Sequence, residues 1–214
     1  MYYYATDAPE KIWVPWFIAI VATIPGVGIN RWLTTMTITA NADPNPELGL
    51  LFVVLGAASG IIINAVLYVC FDRWWWRWFS WSVPDLEGTW VGEVYRRNTD
   101  TGGEEKRDAV MRIRQTWSKI SVEMETCKST SELIMAAFNT QGALPKLSYQ
   151  YEVRPKSVPN AGNMHTGVAR HTVTFEEPPA KSKNRKVVRS IDAEYYTDQY
   201  GRTTAGQQIG RINL

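Results

Sequence analysis

Hydrophobic and polar positions divide the chain into two parts with different patterns. Two uncharged stretches come first, at 12–29 and 48–71, and they contain 18 and 24 residues. A helix rises ~1.5 Å per residue, so the stretches extend about 27 Å and about 36 Å, against a hydrocarbon core of about 30 Å. We therefore predict a transmembrane region at 1–83, formed by two helices at about 12–29 and 48–71.

Charged residues at the ends of the two helices indicate their orientation. Lys11 precedes the first helix, and Arg73 and Arg77 follow the second, whereas the connecting loop carries one arginine and two carboxylates. Because lysine and arginine favour the cytoplasmic side, we expect both termini in the cytoplasm. A cleaved signal peptide is the alternative for the first stretch, but its lead-in is not basic and no small-residue cleavage site follows.

Tryptophans are concentrated at the exit of the second helix, in segment 74–81, which we call the Trp collar. Its tryptophans are Trp74, Trp75, Trp76, Trp78 and Trp81. Tryptophan prefers the headgroup level of a bilayer, so these residues are candidates for the membrane interface. The collar either anchors the helix passively or perturbs lipid packing when many copies cluster.

Small residues mark one face of the second predicted helix. Gly56 and Gly60 form a small-xxx-small motif, and Asn64 lies one turn further along the same face. Such a face allows close helix packing, and an asparagine in hydrocarbon seeks a hydrogen-bonding partner. The motif indicates packing against the first helix of the same chain, or self-association between chains.

The second part of the chain, 84–214, shows short β-rich runs separated by turn residues. No long helical periodicity follows the collar, and evenly spaced strands with short links favour a meander. An antiparallel meander of eight strands closes readily into an up-and-down barrel, so we predict an all-β domain of that kind. The expected strands are 88–97, 107–117, 119–127, 132–139, 147–155, 166–176, 187–197 and 204–213.

Alternation of side chains within these strands predicts which residues face the interior. An eight-stranded barrel is just wide enough to be filled by side chains or to hold one small ligand. The predicted interior residues are Met111, Ile113, Trp117, Ile120, Val122, Met124, Tyr149, Tyr151, Val153, Val173, Phe175, Val187, Ile191, Ala193 and Tyr195.

Three polar residues interrupt these apolar faces, namely Gln115, His171 and Arg189. A buried guanidinium without a partner costs several kcal/mol, so Arg189 needs either an internal carboxylate or an anionic ligand. His171 is either a hydrogen-bonded core histidine or a ligand contact. Tyr149 and Tyr151 either pack or stack on a nucleobase. The candidate ligand-binding residues are Arg189, Gln115, His171, Tyr149, Tyr151, Trp117 and Tyr195.

Composition narrows the function further. A net charge of +2 excludes a strongly basic footprint for polymeric nucleic acid. Two cysteines and two histidines argue against a disulfide scaffold and against a metal centre. We find no nucleophile elbow, Walker loop or dinucleotide fingerprint, so the sequence predicts neither an enzyme nor a cofactor.

The segment that opens the β-rich part resembles the first strand of lipocalin-type barrels, in which a Gly-x-Trp motif lies at the closed end. Gly88 and Trp90 match that motif, and Arg211 is the candidate to cover the indole, as an arginine of the last strand does in those barrels. A cation over an indole is favourable by ~0.5–2 kcal/mol.

The whole arrangement resembles the two-transmembrane, β-strand-rich effectors of bacterial CBASS anti-phage systems, which are STING-like in role. The resemblance implies that the barrel binds a cyclic dinucleotide made by a partner nucleotidyltransferase. It also implies that binding drives oligomerisation and disruption of the inner membrane. The expected protein is therefore a multi-pass protein of the bacterial inner membrane, a homo-oligomer when activated, with a cyclic dinucleotide as ligand.

Two other functions fit the same pattern. A membrane-tethered lipocalin-like module would bind an apolar ligand, and its interior would contain no free charge. A structural interaction protein would have a solid barrel that docks a protein partner. The CBASS-like effector, the lipocalin-like module and the interaction protein differ in what they predict for Arg189 and for the interior of the β-rich part.

Overall fold

The structure is a computed structural model, and it describes residues 1–40, 46–78, 83–97, 104–156, 164–175, 188–197 and 212–213. Contacts divide the chain into two units. The first combines Met1–Ala8 with Arg77–Leu214, and we call it the β-domain. The second is Pro9–Trp76, which we call the helical unit. The chain therefore leaves the β-domain after its first eight residues and returns to it at Arg77.

The helical unit contains two long helices, α1 at Glu10–Ala40 and α2 at Pro46–Arg73. Both begin before the predicted spans and end after them. Among the described residues, one stretch is long and apolar enough to cross a bilayer, Glu10–Leu33 in α1. Many side chains in the first half of α2 lie outside the described residues, so the second span stays a prediction.

The two helices approach closely at a pair of glycines. A Cβ atom added to Gly26 would lie 3.3 Å from the Cα of Gly60, whereas one added to Gly28 would meet nothing within 4 Å. Gly60 therefore packs against α1 of the same chain, which is one of the two roles predicted for the small-residue face. Asn64 is half-buried, and the surroundings of Gly56 lie outside the described residues.

The Trp collar begins as a short 3-10 helix, Trp75–Trp78. Trp74, Trp75 and Trp78 are exposed, whereas Trp76 is buried. Trp81 lies outside the described residues. The exposed indoles are compatible with the predicted interfacial role, and the burial of Trp76 gives that residue a packing role as well.

The β-domain begins with a strand that the sequence analysis did not predict, β1 at Tyr2–Thr6. It runs antiparallel to strand β4 (Lys119–Thr126) and parallel to strand β5 (Ser129–Asn139), although sequence reasoning assigned these residues to the membrane region. The hydroxyl of Tyr4 donates a buried hydrogen bond of 2.8 Å to the carbonyl of Trp117. Beyond the strand, the carboxylate of Asp7 accepts hydrogen bonds from the backbone and hydroxyl of Thr140.

Seven of the remaining strands agree closely with the expected ones, and of the eighth, expected at 204–213, the structure describes the last two residues. The remaining strands are β2 Gly88–Arg97, β3 Glu104–Gln115, β4 Lys119–Thr126, β5 Ser129–Asn139, β6 Lys146–Pro155, β7 His165–Phe175, β8 Val188–Thr197 and β9 Ile212–Asn213. The pairing order β1-β4-β3-β2-β9-β8-β7-β6-β5 gives a curled, mainly antiparallel sheet. The two residues of β9 supply the pairing between β2 and β8.

The concave face of the sheet carries the core. The structure confirms that the interior residues predicted by alternation on β3, β4 and β6 are buried or packed against the core, as are Val173, Phe175, Ile191 and Ala193. Val187 lies outside the described residues. On β8 the register shifts between the pairs Thr174↔Ser190 and Phe175↔Val188, so Arg189 lies at an irregularity of the ladder. Its side chain is outside the described part.

Candidate ligand site inside the β-domain

The segment that enters the β-domain is held by the side chain of Gln115. Its Oε1 accepts a hydrogen bond of 2.9 Å from the backbone of Leu86, and its Nε2 donates one of 3.0 Å to the carbonyl of Pro84. Gln115 is buried, and both ends of its amide are used by this segment. The amide therefore has a structural partner on each side, which accounts for a glutamine on an apolar face.

The Gly-x-Trp motif follows directly on this segment. Gly88 has a φ angle of 153°, a conformation that costs glycine little and other residues much. The indole of Trp90 donates a hydrogen bond of 3.0 Å to the carbonyl of Leu86, which is fully buried. Both residues thus stabilise the start of β2. Arg211, the candidate to cover the indole, lies outside the described residues.

Arg77 holds the same segment from the other side, a role that the sequence analysis did not assign to it. Its guanidinium forms ion pairs with Asp85, at 3.3 Å, and with Glu87. It also donates a hydrogen bond of 3.0 Å to the carbonyl of Gln115. The signal in the sequence was the pair of carboxylates eight and ten residues later, but sequence alone does not show that they meet Arg77.

A second group of polar side chains lies inside the sheet, on β6 and β7. The hydroxyl oxygen of Tyr149 is 3.1 Å from Nε2 of His171, and the two rings meet edge to face with centroids 4.9 Å apart. The ring of Tyr151 lies 6.0 Å from that of Tyr149. We call these three residues the Tyr–His cluster. Alternation brings them together because all three point inward from neighbouring strands.

Burial keeps both members of the central pair neutral. It lowers the pKa of His171 to about 3, from an ordinary value of 6.5. It raises the pKa of the Tyr149 hydroxyl well above its ordinary value, and the neighbouring Tyr151 adds to the effect. His171 has no exposed surface. The cluster therefore presents neutral hydrogen-bonding groups and aromatic rings at any physiological pH.

The ring of Tyr151 is accommodated by Gly167, which sequence reasoning missed. A Cβ atom on this glycine would lie 2.4 Å from Cζ of Tyr151 and 2.5 Å from the carbonyl oxygen of Tyr196. The hydroxyl of Tyr151 donates a hydrogen bond of 3.4 Å to the same carbonyl. A glycine inside a strand indicates such a close approach, so the signal was present in the sequence.

The other candidate site residues have different surroundings. Trp117 is buried, and its carbonyl accepts the hydrogen bond from Tyr4 of β1. Tyr195 is half-buried against the core and donates a hydrogen bond of 3.4 Å to the carbonyl of Tyr95. Among residues whose side chains the structure describes, the buried polar ones are Gln115, Ser131 and His171, and none is cationic. The side chain of Arg189, the predicted cation of the interior, lies outside the described residues.

Comparison with known proteins agrees with this arrangement. A family model described as the Cap15 cyclic dinucleotide receptor domain matches residues 81–211, more than half of the chain and nearly the whole β-domain. The CD-NTase-associated protein 15 of Yersinia aleksiciae is 26% identical over 196 residues, which cover 89% of this chain and 86% of the relative. These findings confirm the resemblance to CBASS effectors, and the chain belongs to the Cap15 cyclic dinucleotide receptor family.

Proposed function

We propose that the protein is a membrane-anchored effector whose β-domain binds a cyclic dinucleotide inside the curled sheet. Ligand binding then drives self-association and disruption of the bacterial inner membrane, which stops phage propagation. The single observation that carries this proposal is the match of residues 81–211 to a cyclic dinucleotide receptor domain. The role is one of binding and assembly rather than catalysis, and no cofactor takes part.

The ligand site that we propose combines the Tyr–His cluster with Arg189. A cyclic dinucleotide carries two bases and two phosphates, so it needs aromatic or polar contacts for the bases and positive charge for the phosphates. The cluster offers the first kind of contact, with rings 4.9 and 6.0 Å apart. Arg189 offers the charge, next to the register shift on β8. Gln115, Trp117 and Tyr195 support the strands around the ligand.

The division of the chain supports a hairpin of two membrane spans. Strand β1 precedes α1, and the other strands follow α2, yet all belong to one sheet. The intervening helices must therefore cross the bilayer an even number of times if they cross it at all. The positive residues Lys11, Arg73 and Arg77 favour the cytoplasm for both ends. This orientation gives the β-domain access to a nucleotide made in the cytosol.

We further propose that the sheet closes in a lipocalin-like manner. The conformation of Gly88 and the hydrogen bond of Trp90 support a closed end at the start of β2. The pairing of β9 with both β2 and β8 supports closure along the strands. Arg211 directly precedes β9, which suits the role of covering the indole.

Binding can be tested by calorimetry of the detergent-solubilised full chain against cyclic di-AMP, cyclic di-GMP and cyclic GMP–AMP. We expect Arg189→Ala to weaken the preferred ligand about ten- to hundredfold, since a charged hydrogen bond contributes ~1.5–3 kcal/mol. Arg170→Ala is the matched control, because Arg170 lies exposed on the adjacent strand. Equal affinity of Arg189→Ala and the parent protein would remove Arg189 from the site.

Self-association and killing need separate tests in cells that also produce the nucleotidyltransferase. We expect Gly56→Leu to reduce ligand-dependent toxicity while leaving calorimetric affinity unchanged. Toxicity equal to that of the parent protein would exclude this face of α2 from assembly. A reporter fused to the C-terminus should be cytoplasmic; an external reporter would contradict a cytosolic receptor.

The mostly apolar interior favours one alternative, a lipocalin-like module for an apolar ligand. Among the described residues, the interior is built largely from aliphatic and aromatic side chains. The same calorimetry with a fatty acid or a lipid distinguishes the two functions. Heat of binding for an apolar probe and none for the three cyclic dinucleotides would favour the alternative.

A further inference from the structure

His171 holds a polar atom for which the described part of the chain supplies no hydrogen-bond partner. Its Nε2 meets the hydroxyl of Tyr149, but within the part of the chain that the structure describes, its Nδ1 has no hydrogen-bond partner. The side chain has no exposed surface. Buried polar groups in proteins almost always have partners, so an exception of this kind calls for an explanation, such as a ligand.

The hydrogen bond between the two side chains decides which nitrogen carries the proton. The histidine is neutral, so one nitrogen has a hydrogen and the other accepts. If Nε2 donated to the tyrosine, both the hydroxyl hydrogen and Nδ1 would lack partners. If the hydroxyl of Tyr149 donates to Nε2, one group is left over, the N–H at Nδ1. The second arrangement leaves fewer unpaired groups and is favoured.

We propose that this N–H of His171 donates to a hydrogen-bond acceptor on a nucleobase of the bound ligand. The inference rests on the proposed function and names one group that reads the ligand's base. A base fits better than a phosphate because the N–H belongs to a neutral ring among aromatic side chains. The ring centroid of Tyr149 lies 4.9 Å from that of His171, and the ring of Tyr151 lies 6.0 Å from that of Tyr149.

The first test needs no ligand and concerns stability. In the full chain, Tyr149→Phe leaves Nε2 without its donor, and His171→Leu leaves the hydroxyl without its acceptor. The double variant removes the pair together with the unpaired N–H. We expect Tyr149→Phe to melt below the parent protein, because it adds an unpaired nitrogen, and the double variant to melt at least as high as the parent. If the double variant melts several degrees below the parent, with either leucine or phenylalanine at position 171, the assignment of an unpaired N–H to Nδ1 is wrong.

The second test measures affinity for cyclic di-AMP, cyclic di-GMP and cyclic GMP–AMP, which differ in their bases. We expect the double variant to bind the parent's preferred probe at least tenfold more weakly and to lose much of the preference between probes. Thr172→Val, on the next position of β7, serves as the control and should bind like the parent. Unchanged affinity would overturn the contact, and an equal loss for all three probes would assign it to phosphate instead.

The two tests separate failure of this inference from failure of the proposed function. If the parent protein binds none of the probes, the proposed function fails. The stability test then still decides whether Nδ1 of His171 carries an unpaired N–H. If the parent binds a probe and the double variant binds it equally well, the proposed function stands and His171 is a residue of the core.

Discussion

Acidification should destabilise the β-domain through His171, and the size of the effect follows from its burial. In the folded protein, burial lowers the pKa of this histidine to about 3, whereas its pKa in the unfolded chain is about 6.5. Between these values the unfolded state binds more protons, so stability falls as pH falls. At pH 5, about 1.5 units below the unfolded value, the expected loss is about 2 kcal/mol, at ~1.4 kcal/mol per unit.

Urea unfolding of the full chain in detergent, followed by tryptophan fluorescence at pH 7, 6 and 5, measures this slope. This pH window is selective for two reasons. The sequence has one other histidine, His165. In addition, Lys106 and Lys156 hold the pKa values of Glu93 and Glu125, respectively, below their ordinary range. His171→Leu should flatten the curve between pH 7 and pH 5. Parallel curves for this variant and the parent protein would refute the reasoning, because the buried histidine would then contribute nothing to the proton balance.

Three further substitutions test the packing described above. Gly167→Ala should lower the melting temperature strongly and cost ~1–3 kcal/mol, because its Cβ would lie 2.4 Å from the ring of Tyr151; a stable variant would contradict the close approach. Gly26→Leu should force α1 and α2 apart and make the detergent-solubilised protein more sensitive to unfolding by SDS. Gly28→Leu is the control and should not have this effect. Equal SDS sensitivity of the two variants would refute the contact between Gly26 and Gly60. Asp7→Ala should cost about 1 kcal/mol by removing the acceptor for the turn after β5, and unfolding curves that coincide with those of the parent would exclude an anchoring role.

The sequence predicted the β-domain well because its strands carry a local signal. Alternation along β3 and β4 identified Met111, Ile113, Ile120 and Val122 as interior residues, and all four are buried. One face of each strand must pack against the core, so a period of two appears in the sequence wherever that face is apolar. Turn residues between the strands added the boundaries. Both signals come from neighbouring residues, which is why they could be recognised without the structure.

Strand β1 could not be predicted in the same way. Its five residues pair with β4 and β5, more than a hundred positions further along the chain. The run Tyr2-Tyr3-Tyr4 has high β-propensity, but a short strand next to a membrane helix carries no signal of its distant partners. The same limit applies to Asp7, whose acceptor role depends on Thr140.

The Tyr–His cluster shows how far sequence reasoning reaches for a site. Alternation placed Tyr149 and His171 on inward faces, and the structure brings their side chains within 3.1 Å. Which atoms of the pair lack partners depends on the surrounding strands, so the unpaired nitrogen became visible only in the structure. Arg189 shows the opposite case, since the register shift on β8 interrupts the alternation from which its inward direction was inferred.

Two residues that lie close to the ends of the helical unit along the chain, Asp7 and Arg77, are anchored within the β-domain. Three residues separate the end of β1 from the start of α1, and the carboxylate of Asp7 ties them to the turn after β5. After α2, Arg77 is tied to Asp85, Glu87 and the carbonyl of Gln115. Asp7 and Arg77 are thus both held by hydrogen bonds or ion pairs to residues of the β-domain. If the proposed ligand shifts the strands of this domain, the partners of Asp7 and Arg77 shift with them.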